Sequence, residues 1–279
     1  MKLSGGFSIG QFIPGESYIH SLDPRCKIIG AFILFAAPFI AKSPYDFIPI
    51  AFALAAITRL ARIKLGTVLR SGRPVVFLVA LTIVLNVFWT PGRELARLGP
   101  LSITEEGVTL AFCVGLRLYF LVMLAALLMM TTSPMAFAGG LESILSPLAA
   151  LKFPVSEMAM MMTIALRFIP TFFEETDKIL KAQISRGADF ESGGIIKRAR
   201  AFIPVLVPLF VLVFARAENL AIAMESRGYV PGVPRSRLNP LVWAARETTS
   251  ILCVIVFIIF TVLWNRYAPE LISLWLGLL

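Results

Sequence analysis

Residues 108–131 form a run of 24 residues whose only charge is Arg117. As a helix such a run is ~36 Å long, more than the ~20 apolar residues a bilayer crossing requires. Four further segments are apolar enough to join it: Ile28–Ala41, Tyr45–Thr58, Pro74–Trp89 and Ser250–Trp264. Charged residues make up only 15% of the chain, against about a quarter in soluble domains. Most of the surface must therefore face lipid or other apolar helices. Together these features predict an all-α polytopic membrane protein of about five transmembrane helices plus long helices on one aqueous side.

Several classes of chemistry are excluded by what the chain lacks. His20 is the only histidine, so no multi-histidine metal site is expected. Cys26, Cys113 and Cys253 lie far apart without metal-ligand spacing and read as small apolar fillers. No Gly-x4-Gly-Lys-Ser/Thr loop is present to cradle ATP phosphates, so an ATP-driven function needs a separate subunit. The first 27 residues carry turn residues (Gly5, Gly6, Pro14, Gly15) and no apolar run ending in a cleavage site, so no signal peptide is expected.

Lys and Arg placement sets the expected orientation. With the N-terminus inside, the inner segments hold 21 of the 26 positive residues and the outer ones four, Lys42, Arg93, Arg97 and Arg266. Arg117 lies within a span. The net charge of +9 then faces anionic inner-leaflet lipid, and nucleic acid is not needed to explain it. The chain divides accordingly into 1–131 with four transmembrane helices, 132–247 on the inner, cytoplasmic side, and 248–279 with the last crossing. The first two runs are short for a crossing, and Lys42-Ser43-Pro44 reads as the tight turn between them, with Ser and Pro starting the second.

Residues 132–247 hold three helical runs, Pro134–Leu151, Pro154–Arg186 and Ile195–Arg227. Ser133 before Pro134 is a helix-starting pair. Gly187 and Gly228 stand where helices end on a left-handed residue. Pro170, Pro204 and Pro208 are expected to bend the two longer runs. From 171 to 186 the pattern is amphipathic: Phe172, Phe173, Ile179, Leu180 and Ile184 share one arc, and Glu174, Asp177, Lys178 and Lys181 the other. Ala201–Ala215 carries no charge and admits a reading as a sixth span, but at ~22 Å with two prolines it suits a half-embedded or protein-buried helix better. In the Met158–Met162 stretch, Glu157 and Arg167 bracket too few residues to span.

The most distinctive pattern is a repeat. Ala182-Gln183-Ile184-Ser185-Arg186-Gly187 and Ala223-Met224-Glu225-Ser226-Arg227-Gly228 close the two long runs 41 residues apart, each with an acid, Asp177 or Glu218, five residues before its alanine. One such end reads as a helix cap, with Arg complementing the helix dipole. A pair also suits docking, because an arginine at a helix tip presents a fork of donors to a carboxylate-lined pocket on another protein. Asp23-Pro24-Arg25 reads as N-cap, first helical residue and headgroup anchor. Arg117 needs a partner inside the fourth span, since an unpaired charge there costs ~2.5–3.5 kcal/mol or more. Arg167, Glu174 and Glu175 around Pro170 suit either an intrahelical ion network or a contact surface.

In order along the chain stand Phe12-Ile13-Pro14-Gly15, Leu22-Asp23-Pro24-Arg25-x-Lys27, Thr131-Thr132-Ser133-Pro134, Gly140-Leu141-Glu142, Ala165-Leu166-Arg167-Phe168-Ile169-Pro170-Thr171, Glu174-Glu175 and the two Ser-Arg-Gly ends continuing into Ala188 and Tyr229. This series resembles the transmembrane T component of energy-coupling-factor micronutrient transporters, and within that family the type shared among several substrate-binding partners. The resemblance implies a multi-pass subunit of a prokaryotic cell membrane. It implies two ABC-type ATPase subunits and a substrate-binding S component as partners, with long coupling helices between them. It implies that Ser185, Arg186, Gly187, Ser226, Arg227 and Gly228 dock the ATPases, with Ser where the family often has Ala. It implies no catalytic residues, metal or cofactor in this chain, and a cargo, vitamin or metal, chosen by the S component. The alternatives are a self-sufficient ion-coupled secondary transporter and a polytopic membrane enzyme. The first usually shows intramembrane acids and an inverted repeat; the second needs clustered catalytic groups at membrane depth.

Overall fold

The computed structural model describes residues 12–98, 101–151, 153–190, 192, 194–230 and 242–276; Gly5 and Gly6, expected in turns, lie outside them. Eleven α-helices are described: α1 (Tyr18–Ser21), α2 (Pro24–Ile40), α3 (Phe47–Leu60), α4 (Leu65–Ser71), α5 (Arg73–Trp89), α6 (Glu105–Thr131), α7 (Pro134–Leu145), α8 (Val155–Ser185), α9 (Ile195–Ala201), α10 (Ile203–Ser226) and α11 (Ala245–Leu276). The all-α expectation holds for the body of the chain. Between α5 and α6 the structure adds a short antiparallel hairpin, β1 (Glu94–Leu98) and β2 (Leu101–Thr104), with Leu98 opposite Leu101. Its strands are too short for an alternating pattern to stand out beside the apolar runs that flank them.

Four of the described helical stretches are long and apolar enough to cross a membrane: α6, α8, Ile196–Ser226 and Ala245–Tyr267. The pair α4 and α5, bent by 54°, makes a fifth if it is one span. The chain is a multi-pass membrane protein. Helices α2 and α3, at 17 and 14 residues, reach only ~26 and ~21 Å against a ~30 Å hydrocarbon core.

The described residues form two compact units, 12–144 with 242–276, and 145–230. In the larger, α6 is the central post. Its Cys113, Phe120, Met123, Leu124, Leu127 and Met130 meet Ala37, Phe47, Ile50, Leu54 and Val68 in one apolar core, and Phe47 stacks on Phe120 at 5.8 Å. Local signals fix the helix starts. Asp23 caps α2 by accepting from the Arg25 amide at 2.8 Å, with Pro24 in the first turn. Ser133 accepts from the Ala136 amide at 3.2 Å before α7. Arg25, expected at lipid headgroups, lies 3.7 Å from the Asp23 carboxylate. Close approach, not conformation, requires Gly140: a β-carbon there would stand 2.9 Å from Pro24 Cβ and 3.2 Å from its carbonyl carbon.

The turn between α2 and α3 explains how two short helices can end inside the protein. Ala41, Asp46 and Phe47 are buried while Lys42 and Tyr45 are exposed, so the turn is half covered. Its backbone groups find side-chain partners. Arg117 donates from Nε to the Pro38 carbonyl at 2.9 Å and from Nη2 to the Ala41 carbonyl at 3.0 Å. Asn265 donates to the Ile40 carbonyl at 3.0 Å. Asp46 accepts from the amides of Lys42 and Ser43 at 3.0 and 2.8 Å. Backbone groups covered from water must be satisfied by protein in this way. The charge in the fourth apolar run thus has its partner: Arg117 caps the end of α2, where the carbonyls carry the negative end of the helix dipole.

The smaller unit holds α8, α9 and α10. The sequence predicts one helix over Ile195–Arg227, and the structure carries it as α9 and α10 joined at Phe202, whose φ of −78° and ψ of −13° keep the helical course, so that Ile196–Ser226 runs as one stretch. Pro204 falls in the first turn of α10, where its missing N–H leaves no bond unmade; it starts the helix rather than bending it. Pro170 and Pro208 lie inside α8 and α10. Few residues of these helices are buried: Val155, Ala159, Leu180 and Val205. Of the apolar arc expected on α8, Leu180 is covered, while Phe173 and Ile184 are 59% and 50% exposed.

Candidate partner-docking site

Both long helices end in the same backbone geometry. Arg186 is the C-cap of α8 at φ −88°, ψ 7°, and Arg227 the C-cap of α10 at φ −89°, ψ 8°. Gly187 and Gly228 follow at φ +88° and +73°. The Gly187 amide donates to the Ile184 carbonyl at 2.9 Å, and the Ala188 amide to the Gln183 carbonyl at 3.0 Å. The second end repeats both bonds, from Gly228 to Glu225 at 2.9 Å and from Tyr229 to Met224 at 3.0 Å. This is the paired 6→1 and 5→2 closure that satisfies the last carbonyls of a helix. The motif seen in the sequence is therefore a structural repeat.

The six motif residues are exposed. Each serine hydroxyl is turned onto its own helix, Ser185 donating to the Lys181 carbonyl at 3.1 Å and Ser226 to the Ala223 carbonyl at 3.0 Å. A serine in this place asks nothing of a partner. Neither Arg186 nor Arg227 makes an ion pair among the described residues. Each guanidinium is free to offer its donors outward, from a backbone held by two hydrogen bonds.

The acids and bases behind the tips pair unevenly. Lys181 binds Asp177 at 2.6 Å within α8, and Lys178 lies 3.3 Å from Glu175. Glu175 also accepts from Arg216 of α10 at 3.3 Å. Of the two readings offered for the charges near Pro170, neither is complete: Glu175 ties two helices together, and Arg167 joins no ion pair among the described residues. Glu175 and Arg216 are themselves 41 residues apart and occupy equivalent places in the repeat, each eleven residues before its terminal arginine. Beyond this link each helix extends ~16 Å to its tip. The equal spacing was present in the repeat, but the contact between the two helices shows only in the structure.

Left-handed backbone makes the glycines testable. An added β-carbon at either position would meet nothing within 4 Å, so Gly187→Ala and Gly228→Ala are strained by conformation alone, by roughly 1–2 kcal/mol each. Amide exchange of Ala188 and Tyr229, whose protons close the caps, should accelerate in the matching variant, and the asparagine variants should lose less. Unchanged exchange in the alanine variants would show that the caps do not hold the tips.

Comparison with known proteins places the whole arrangement. Residues 15–239 match the CbiQ family, described as cobalt transport protein. An energy-coupling factor transporter transmembrane protein EcfT from Thermanaerovibrio acidaminovorans is 53% identical over 251 residues, covering 90% of this chain and 93% of that one. Proteins of the same name from Brevibacillus brevis and Bacillus subtilis are 43% and 40% identical, over 93% and 89% of this chain and 98% and 94% of theirs. Matches of this extent, running through both arginine-tipped helices, show that the chain belongs to the CbiQ/EcfT family of transporter membrane proteins.

Proposed function

We propose that this chain is the transmembrane coupling subunit of an energy-coupling-factor importer for vitamins or other micronutrients. In this reading Arg186 and Arg227 each enter an acidic groove on one of two cytoplasmic ABC-type ATPases, which hydrolyse the ATP. The N-terminus and residues 132–247 lie on the cytoplasmic side, and residues 1–131 and 248–279 supply the membrane body. The observation that carries the reading is the pair of helix ends, alike in sequence and backbone angles to about a degree at the arginines, with no ion pair of their own among the described residues. The excess of positive residues in the inner segments supports the orientation.

Nucleotide-driven closure of the ATPases displaces one tip relative to the other. Helices held at Glu175 and Arg216 turn that displacement into movement of their far portions. The apolar faces of α8 and α10, with Phe173, Phe210 and Phe214 59–70% exposed, supply contact surface for the substrate-binding S component and lipid. The S component selects the cargo.

Reconstitution tests this against a transporter or enzyme that works alone. Purified chain in liposomes should neither hydrolyse ATP nor accumulate a vitamin driven by an ion gradient. Adding both ATPases and an S component should establish ATP-dependent uptake. Uptake or turnover by the chain alone would overturn the proposal.

A further inference from the structure

A cavity of about 290 Å³ lies within the larger unit, lined by α1, α2, α3, α6 and α11. Its lining is polarised along the helices. Lys27, Thr131, Thr249 and Ser250 stand at one end beside Ile19 and Leu22, and Leu34, Leu124 and Val254 are among the apolar residues that line the rest. From Lys27 to Leu34 is seven residues of α2, or ~10 Å along its axis. The cavity is thus polar and cationic at one end and apolar in its depth.

Lys27 sets the sign of the polar end. Its ammonium donates to the His20 carbonyl at 2.9 Å and the Thr131 carbonyl at 3.1 Å, carbonyls at the ends of α1 and α6. Those bonds occupy two of its three N–H groups. Among the described residues no carboxylate lies within ion-pair distance of it. Asp23 acts on it only through space, beyond ion-pair distance, so a partly buried cation bonded to neutral carbonyls keeps one donor that suits an anion. Around a multi-pass membrane protein, the anion with an attached apolar tail in constant supply is a phospholipid headgroup.

The geometry points to a binding site for an anionic phospholipid, with one acyl chain in the cavity lined by α1, α2, α3, α6 and α11 and the phosphate at Lys27. Such a lipid fills space among these helices and gives the remaining Lys27 donor a directly bonded anionic acceptor. The site is separate from the arginine tips and does not depend on the docking assignment.

Native mass spectrometry of the full-length chain, titrated with phosphatidylglycerol or phosphatidylcholine, tests it. Wild type should retain phosphatidylglycerol in preference by on the order of fivefold, the worth of one basic residue at an anionic headgroup. Lys27→Gln should reduce that preference to near unity and leave phosphatidylcholine retention unchanged. Gly30→Leu should block the tail, lowering retention of both lipids. Its β-carbon meets only Val254 Cγ2, at 4.0 Å, so this variant is expected to fold even if Lys27→Gln loosens the ends of α1 and α6. Equal retention of the two lipids by wild type, or a Gly30→Leu chain that holds both as well as wild type, would overturn the site. Displacement of phosphatidylglycerol by equimolar oleate would assign it to a free fatty acid and overturn the phospholipid.

Discussion

Reversing both tip charges, Arg186→Glu with Arg227→Glu, should abolish capture of the two ATPases and ATP-driven uptake while leaving membrane insertion intact. Each arginine is exposed and makes no ion pair among the described residues, so reversing it costs the chain only its complement to the helix dipole, about 0.3–1 kcal/mol at each end. Each sits at a cap position set by main-chain bonds, so a glutamate there keeps the backbone course. The loss falls on the interface. A charge-assisted pair removed from a desolvated pocket costs about 2–5 kcal/mol, and reversal adds repulsion from the same acids, so two reversed tips leave no measurable complex. Either single reversal should weaken assembly without abolishing it, because the other tip still docks. Normal recovery of both ATPases with the double variant would refute the docking assignment.

The second large effect is expected at Arg117, and it concerns the membrane body. Arg117→Leu leaves the Pro38 and Ala41 carbonyls without the donors that now reach them. An unsatisfied buried acceptor costs roughly 1–3 kcal/mol, so the two together should lower detergent stability by about 2–6 kcal/mol. Removing the guanidinium also removes its desolvation cost, which holds the loss toward the lower part of that range. Arg117→Lys separates charge from geometry: an ammonium keeps the charge but lacks the planar fork that spans two carbonyls. Its melting temperature should fall between those of Arg117→Leu and wild type. If Arg117→Leu melts with wild type, the turn between α2 and α3 is held by Asp46 and Asn265 and does not need the arginine.

These two arginines show what the sequence makes legible. Arg186 and Arg227 could be read from the chain because everything that shapes them is local: a long run, a cap glycine and a repeat within each end. The same holds for Asp23 and Ser133, whose capping bonds span two or three residues. Arg117 announced only that it needed a partner, because its partners are main-chain carbonyls 76 and 79 residues away that carry no residue-type signal. Glu175 was visible as a charge, but its tie to Arg216 depends on α8 and α10 touching. The hairpin at 94–104 was missed for a different reason. An apolar run gives the same periodicity whether or not two short strands flank it. The polarised cavity is the least legible of all, since it exists only where distant helices meet.

The central claim is that both tips face one compartment. In a chain carrying Cys253→Ser, which removes the exposed cysteine while Cys26 and Cys113 stay buried, single cysteines at Ser185 and Ser226 report the side of each tip. A membrane-impermeant maleimide applied to oriented vesicles should label both positions from the cytoplasmic face and neither from the other. Labelling of the two positions from opposite faces would contradict the account, because no one pair of cytoplasmic ATPases reaches both sides of a membrane.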